Sequence, residues 1–123
     1  MHAPFAITSE YFGDTAVISL IGELDTTRCP QLDEALGASL SGGRIHLVVD
    51  TAELTFCDSM GLRTFLDYVE RARQAGGWLR MAGVRGVLRR LLDVTGVSAV
   101  VPIDPDVPTA LCARLPGGDA LGL

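Results

Sequence analysis

The sequence predicts a single α/β domain built on a mixed β-sheet with a parallel centre and with helices packed on the sheet. Strand-like and helix-like segments alternate in the order β-β-α-β-α-β-α-β-α, which is typical of sheets with parallel strands. The run at residues 45–49 is almost wholly apolar, as expected of an interior strand covered on both faces. Glycines end the predicted helices. We expect residues 1–123 to form one domain whose last few residues are frayed.

The first two strands are predicted to form a hairpin over residues 5–22, with Gly13 supplying the backbone freedom of its turn. The second strand is expected to stop in the run Gly22-Glu23-Leu24-Asp25. Thr26 or Thr27 can cap the first helix, with Pro30 in its first turn. The apolar positions of this helix recur at helical spacing up to Gly42-Gly43, and they are Leu32, Ala35, Leu36 and Leu40.

A central loop is expected between the strand at 45–49 and the second helix. Asp58 and Ser59 lie where this helix begins, so the Ser59 hydroxyl should lie at or beside the N-cap and face outward. Ser59 can then be simply a cap, or it can accept a phosphate, because unpaired N–H groups and the helix dipole favour an anion there. Gly61 would leave room for another protein to approach the hydroxyl. The local sequence leaves both interpretations open.

The second helix is predicted to end at Gly76-Gly77 and to bury an apolar stripe, which comprises Leu62, Phe65, Leu66, Val69 and Ala72. Its other side carries charges at a spacing that allows ion pairs of Arg63 with Asp67 and of Asp67 with Arg71. Arg63, Asp67, Glu70 and Arg71 can determine partner specificity, or they can form an ordinary solvated face.

The remainder is predicted as a strand over 78–82, a third helix ended by Gly96, a short strand within 97–103, and a last helix from Asp106 through Leu115. Met60 and Trp78 are expected to be packing residues, and Cys57 a small buried hydrophobe. The third helix should bury Val87, Leu88, Leu91 and Leu92.

Composition excludes several function classes. The chain has 15 acidic and 10 basic residues, and residues 1–58 contain nine carboxylates against two arginines, which argues against binding to nucleic acid. Three widely spaced cysteines form no Cys-x-x-Cys pair, so we expect neither a disulfide framework nor a metal site. No segment is long enough to span a membrane, and no signal sequence is evident, which indicates a cytoplasmic protein.

Enzymatic chemistry is also not expected. The chain has no lysine, hence no phosphate-binding Gly-Lys loop, and it has no dinucleotide fingerprint, so no cofactor is predicted. The run from Cys57 to Gly61 resembles the nucleophile elbow of serine hydrolases, with Ser59 in the place of the nucleophile. However, Cys57 replaces the first glycine, and both histidines, His2 and His46, precede the serine, whereas the histidine of the elbow follows it. The serine hydrolase interpretation predicts that the isolated protein hydrolyses esters and that Ser59→Ala abolishes this activity.

Together, these motifs resemble a STAS domain, and in particular the bacterial anti-sigma factor antagonists. The resemblance covers nearly the whole chain. It rests on the paired initial strands, the Gly22-Glu23-Leu24-Asp25 turn, the Val-Val-Asp strand followed by Leu-x-Phe-x-Asp-Ser-x-Gly-Leu up to Leu62, and the Gly-Gly pair before Trp78.

The resemblance implies a phosphorylation switch. In such proteins the unmodified form binds an anti-sigma factor, which is a serine kinase of the histidine-kinase-like ATPase fold, and thereby releases a sigma factor. Phosphorylation of the serine after the motif's Asp, here Ser59, turns binding off, and a PP2C-type phosphatase reverses it. The implied partner-binding residues are Glu23, Asp25, Asp58, Ser59, Met60, Gly61 and Arg63.

Met60 departs from the family pattern, because many relatives carry a second serine or another small residue there. Its bulky thioether could slow the kinase or change which kinase fits. STAS domains also serve as auxiliary subunits of ABC-type lipid transporters, which they contact through the same loop and helix at the ATPase without phosphorylation. This assembly role is the alternative function that the resemblance implies.

Overall fold

The computed structural model describes residues 4–113 and contains one five-stranded sheet in the order β1-β2-β3-β4-β5. The first two strands are antiparallel, and every other neighbouring pair is parallel. The strands are β1 (Phe5–Phe12), β2 (Thr15–Leu24), β3 (His46–Cys57), β4 (Trp78–Ala82) and β5 (Ile103–Asp104). The helices are α1 (Cys29–Ser41), α2 (Ser59–Gln74), α3 (Gly86–Thr95) and α4 (Val107–Cys112). The predicted fold class and element order are confirmed.

The two faces of the sheet are covered unequally. Leu47 and Val49 of β3 point into a large apolar cluster with α1, α2 and α3, whereas Val48 between them belongs to a smaller cluster with α4. The alternation follows from the two-residue period of a strand. The strand is therefore buried on both faces, as its apolar run predicted.

β3 is longer than predicted, and its extra length positions the candidate site. It pairs with β4 only as far as Asp50 and Ala82, but its pairing with β2 continues, through irregular register, to Leu24 and Cys57. The segment after Val49 is thus strand and not the expected loop. As a result, β2 and β3 extend together beyond β4 and β5, and the chain segments that follow them are neighbours.

Several predicted details of α1 and α2 are wrong. The N-cap of α1 is Arg28 and not Thr26 or Thr27. Pro30 lies in the first turn as predicted. In α2, Leu66 is exposed, and the buried position is instead Tyr68, which the sequence did not indicate. The Tyr68 hydroxyl can be buried because it donates to the Asp33 backbone carbonyl and carboxylate on α1, at 2.9 and 2.8 Å.

The C-terminal part also differs from the prediction. Gly96 ends α3 in the left-handed conformation as predicted, but Val87 is 80% exposed because it lies on the solvent side of that helix. The segment Val97–Ala99 is one turn of 3-10 helix, and the last strand is confined to β5. Asp106 caps α4, which ends at Cys112. The predicted extension to Leu115 and the frayed end lie outside the described residues.

Candidate functional site

The two motifs singled out in the sequence lie side by side. Leu24, near the end of the Gly-Glu-Leu-Asp turn, pairs with Cys57, and the Asp58 backbone N–H donates to the Leu24 carbonyl at 3.3 Å. This contact joins the beginning of α2 to the segment that leads from β2 into α1. Glu23 is exposed and Asp25 is half-buried at this edge.

Asp58 is the N-cap of α2 and connects it to the neighbouring loop. One oxygen of its carboxylate accepts from the Gly61 backbone N–H at 3.0 Å, which satisfies one of the free donors of the first turn. The other oxygen accepts from the Thr26 hydroxyl at 3.1 Å. Asp58 therefore fixes both the helix start and the position of the loop before α1.

Ser59 is the first residue of α2 and is not its cap, so the interpretation of this serine as a helix cap is wrong. It is exposed, and its hydroxyl makes no hydrogen bond within residues 4–113. The hydroxyl is thus open to modification without loss of an internal contact.

Asp25 is held by its own turn. Its carboxylate accepts from the Thr27 hydroxyl at 2.7 Å and from the Arg28 backbone N–H at 3.1 Å. The Thr27 hydrogen bond is the main cause that lowers the pKa of Asp25 below its ordinary value. Asp25 accordingly remains a carboxylate at neutral pH, close to the negatively charged Asp58.

The missing side chain of Gly61 would point into the core. Gly61 is buried, and a Cβ on it would lie 2.7 Å from the Cys57 sulfur and 2.9 Å from Leu24 Cδ2. The missing side chain makes room for the packing of α2 against the ends of β2 and β3. The expected role of Gly61 in opening a path to Ser59 is therefore corrected to an internal one.

We expect Gly61→Ala to destabilise the fold by about 1 kcal/mol or more, because overpacking outweighs the gain of about 1 kcal/mol in helix propensity. Urea unfolding followed by circular dichroism measures this change. The double variant Cys57→Ala/Gly61→Ala is the control, because removal of the sulfur should relieve part of the clash. Unchanged stability of Gly61→Ala would contradict the packing role.

An open groove of about 470 Å³ lies between α1 and α2, next to Ser59. Met60 is on its wall and is 42% exposed, so the prediction of Met60 as a packing residue is wrong. The sequence alone did not indicate this groove, although four of its residues lie at helical spacing on one face of α2. The groove is lined by Thr26, Cys29, Pro30, Asp33, Met60, Arg63, Thr64 and Asp67.

The charges on α2 pair only in part as predicted. Asp67 pairs with Arg71 at 3.1 Å, which leaves the expected pair of Arg63 with Asp67 unformed. Arg63 is exposed and takes part in no ion pair within the described range 4–113. An unpaired guanidinium therefore lies one turn beyond Ser59.

Two free cysteines, Cys29 and Cys57, lie buried beneath the site. Cys57 is buried, as predicted, and burial, followed by the charge of Asp58, raises the pKa of its thiol to about 12. Burial also raises the pKa of Cys29. Both remain protonated at neutral pH and pack as small apolar groups. Residues 4–113 contain no cluster of His, Cys, Asp and Glu that could hold a metal ion.

Within residues 4–113, no histidine lies near Ser59. His46 opens β3, whereas Ser59 follows its far end, and a 12-residue strand at about 3.3 Å per residue separates them by tens of ångströms. The imidazole instead packs edge-on against Trp78, with the ring centroids 4.8 Å apart. His2 lies outside the described residues.

Within the part of the chain that the structure describes, no helix is both long and apolar enough to cross a bilayer.

Comparisons with known proteins agree with this architecture. Residues 8–102 match a family model described as "Mlab, STAS domain". An anti-sigma-B factor antagonist from Listeria monocytogenes is 33% identical over 86 residues, which cover 70% of this chain and 75% of that relative. An anti-sigma F factor antagonist from Paenibacillus polymyxa is 30% identical over 109 residues, covering 85% and 91% of the two chains.

A solved structure shows the same fold. The crystal structure of an anti-sigma factor antagonist from Mycobacterium paratuberculosis superposes with a TM-score of 0.80 at 28% identity, over 89% of this chain and 93% of that chain. The resemblance found in the motifs is thus confirmed over most of the sequence. The chain belongs to the STAS domain family, among the bacterial anti-sigma factor antagonists.

Proposed function

We propose that the chain is an anti-sigma factor antagonist whose binding is switched off by phosphorylation of Ser59. In its unmodified form it binds an anti-sigma factor in the cytoplasm and releases a sigma factor. The anti-sigma factor is a serine kinase of the histidine-kinase-like ATPase fold, and a PP2C-type phosphatase restores the unmodified form. The chain is the substrate of this kinase and has no catalytic role of its own.

The observation that carries this proposal is the Ser59 side chain. It is exposed at the first position of α2 while Asp58 performs the capping, so its hydroxyl is available to an incoming kinase. In the transfer, a bond forms between Ser59 Oγ and the γ-phosphorus of ATP, the bond from that phosphorus to ADP breaks, and the hydroxyl proton is released. No hydrogen bond of the Ser59 side chain within residues 4–113 has to break first.

The proposed binding surface surrounds this serine. Glu23 and Met60 are exposed, and Asp25 and Asp58 are held in place by the hydrogen bonds described above. Arg63 extends the surface along α2. Gly61 supports the surface from below through its close packing.

Intact-mass spectrometry after incubation with ATP and each candidate anti-sigma kinase tests the switch. We expect one added phosphate on the wild type and none on Ser59→Ala. Thr55→Val is the matched control, because Thr55 is a nearby hydroxyl that already donates to the Gly22 carbonyl at 3.1 Å. This control should still gain the phosphate. A phosphate that persists on Ser59→Ala would place the modification elsewhere.

The second candidate is an auxiliary subunit of an ABC-type lipid transporter that docks on the ATPase without phosphorylation. The groove beside Met60 favours it, since this groove offers a docking surface that needs no phosphate. A stable complex with a transporter ATPase, and no phosphorylation by any kinase, would support this candidate and contradict the switch.

A further inference from the structure

Arg63 is the only basic residue that lines the groove beside Ser59, and it is unpaired within residues 4–113. Its neighbour at the next turn, Asp67, is engaged with Arg71 at 3.1 Å. The other carboxylate on the groove, that of Asp33, accepts from the Tyr68 hydroxyl at 2.8 Å. The Arg63 guanidinium is thus available to bind an added anion.

Arg63 also has a fixed relation to Ser59. Residues four apart on an α-helix lie on the same face, so Ser59, Arg63 and Asp67 form one stripe along α2. An acidic group four residues before a basic one is the more favourable order of such a pair. A phosphoryl group on Ser59 would therefore lie within reach of the Arg63 guanidinium.

We propose that Arg63 binds the phosphoryl group of phosphorylated Ser59 and holds it on the face of α2 that lines the groove. This inference rests on the proposed phosphorylation of Ser59. The planar guanidinium donates N–H groups to two phosphoryl oxygens in the geometry that arginine forms with phosphates. Because Arg63 is exposed, the contact requires only a rotamer change.

The contact gives the switch a second effect. Without phosphate, the Arg63 side chain is free to meet a carboxylate of the binding partner. With phosphate, the same side chain is occupied within its own helix. Phosphorylation then adds negative charge to the surface and also withdraws the one unpaired cation of the groove.

The charged groups around a phosphate at position 59 have opposite effects on its second pKa. The carboxylates raise the second pKa of the phosphoserine, while a bound guanidinium lowers it. The charged groups at this edge are Glu23, Asp25 and Arg28 before α1, Asp33 on α1, Asp58 at the cap, and Arg63 and Asp67 on α2. Substitution of Arg63 alone separates its effect on the phosphoserine pKa from the effect of the carboxylates.

The test uses the full chain with phosphoserine incorporated at position 59 during translation, and it follows the second phosphate ionisation by ³¹P NMR. We expect Arg63→Gln to raise the pKa of the phosphoserine by about 0.5 unit. Arg63→Lys should raise it less, because the charge remains. Arg90→Gln is the matched control, since Arg90 is exposed on α3 and unpaired within residues 4–113. It should leave the pKa unchanged.

Equal pKa values in the wild type and Arg63→Gln would overturn the inference. An equal rise of the phosphoserine pKa in Arg90→Gln would also overturn the inference, because the change in net charge would then explain the rise without a contact to Arg63. Thermal melts confirm that each variant is folded. Since no kinase is involved, this result is independent of the mass spectrometry. If no kinase phosphorylates Ser59, the proposed function is contradicted, but a shifted titration still establishes the contact between Arg63 and the phosphate. If Arg63→Gln leaves the titration unchanged, only this contact is contradicted.

Discussion

Phosphorylation of Ser59 is expected to weaken the complex with the anti-sigma factor about a thousandfold, which corresponds to about 4 kcal/mol. The phosphate adds about −1.5 to −2 charges directly beside Asp58 and close to Asp25. At the centre of an interface, this charge has to be desolvated and repels neighbouring carboxylates. Both costs oppose the complex and leave the free chain unaffected.

The fold itself should not respond to the phosphate. Helix α2 is capped by the Asp58 carboxylate, and the Ser59 side chain makes no contact within residues 4–113 that a phosphate would break. We therefore expect the circular dichroism spectrum of the phosphorylated chain to match that of the unmodified chain. The loss of affinity then comes from the interface and not from unfolding.

Isothermal titration calorimetry with the purified anti-sigma factor measures this effect on the chain carrying phosphoserine at position 59. The control carries phosphoserine at Ser41, which is exposed at the end of α1 that is farther from the candidate site. It has the same net charge and should bind like the unmodified chain. Equal affinity of the two phosphorylated chains would contradict a switch located at Ser59.

The sequence predicted the sheet well because its strands carry clear patterns. The apolar run of β3 and the glycines after α1 and α3 act locally, so the element order follows from them. The continuation of β3 to Cys57 was missed because that segment, beyond Asp50, mixes polar and apolar residues and gains its strand form from pairing with β2. Pairing between distant segments is not visible in local composition.

The candidate site was predicted in position but not in detail. Asp58 and Ser59 are both favoured N-cap residues, and only the structure shows that the Asp58 carboxylate accepts from Gly61. Burial of Tyr68 depends on an acceptor on α1, and exposure of Met60 depends on where α1 begins relative to α2. Each of these outcomes is set by the packing of two helices.

Removal of one partner from the ion pair of Arg80 with Asp104 is expected to destabilise the fold more than the same change in any other ion pair within residues 4–113. The Arg80 guanidinium donates to both oxygens of Asp104, at 2.8 and 3.1 Å, and thereby joins β4 to β5. The side chains are only 24% and 9% exposed. Asp104→Ala should cost about 3 kcal/mol, because it leaves a largely buried charge without its partner.

Urea unfolding of Asp104→Ala and of Asp93→Ala compares the same chemical change in two settings. The pair of Asp93 with Arg89 is 3.5 Å long, and both side chains are about half exposed, so its loss should cost about 0.5 kcal/mol. The double variant Arg80→Met/Asp104→Leu should recover much of the lost stability, because no unpaired charge remains. Equal effects of the two aspartate substitutions would show that burial does not decide the strength of the β4–β5 pair.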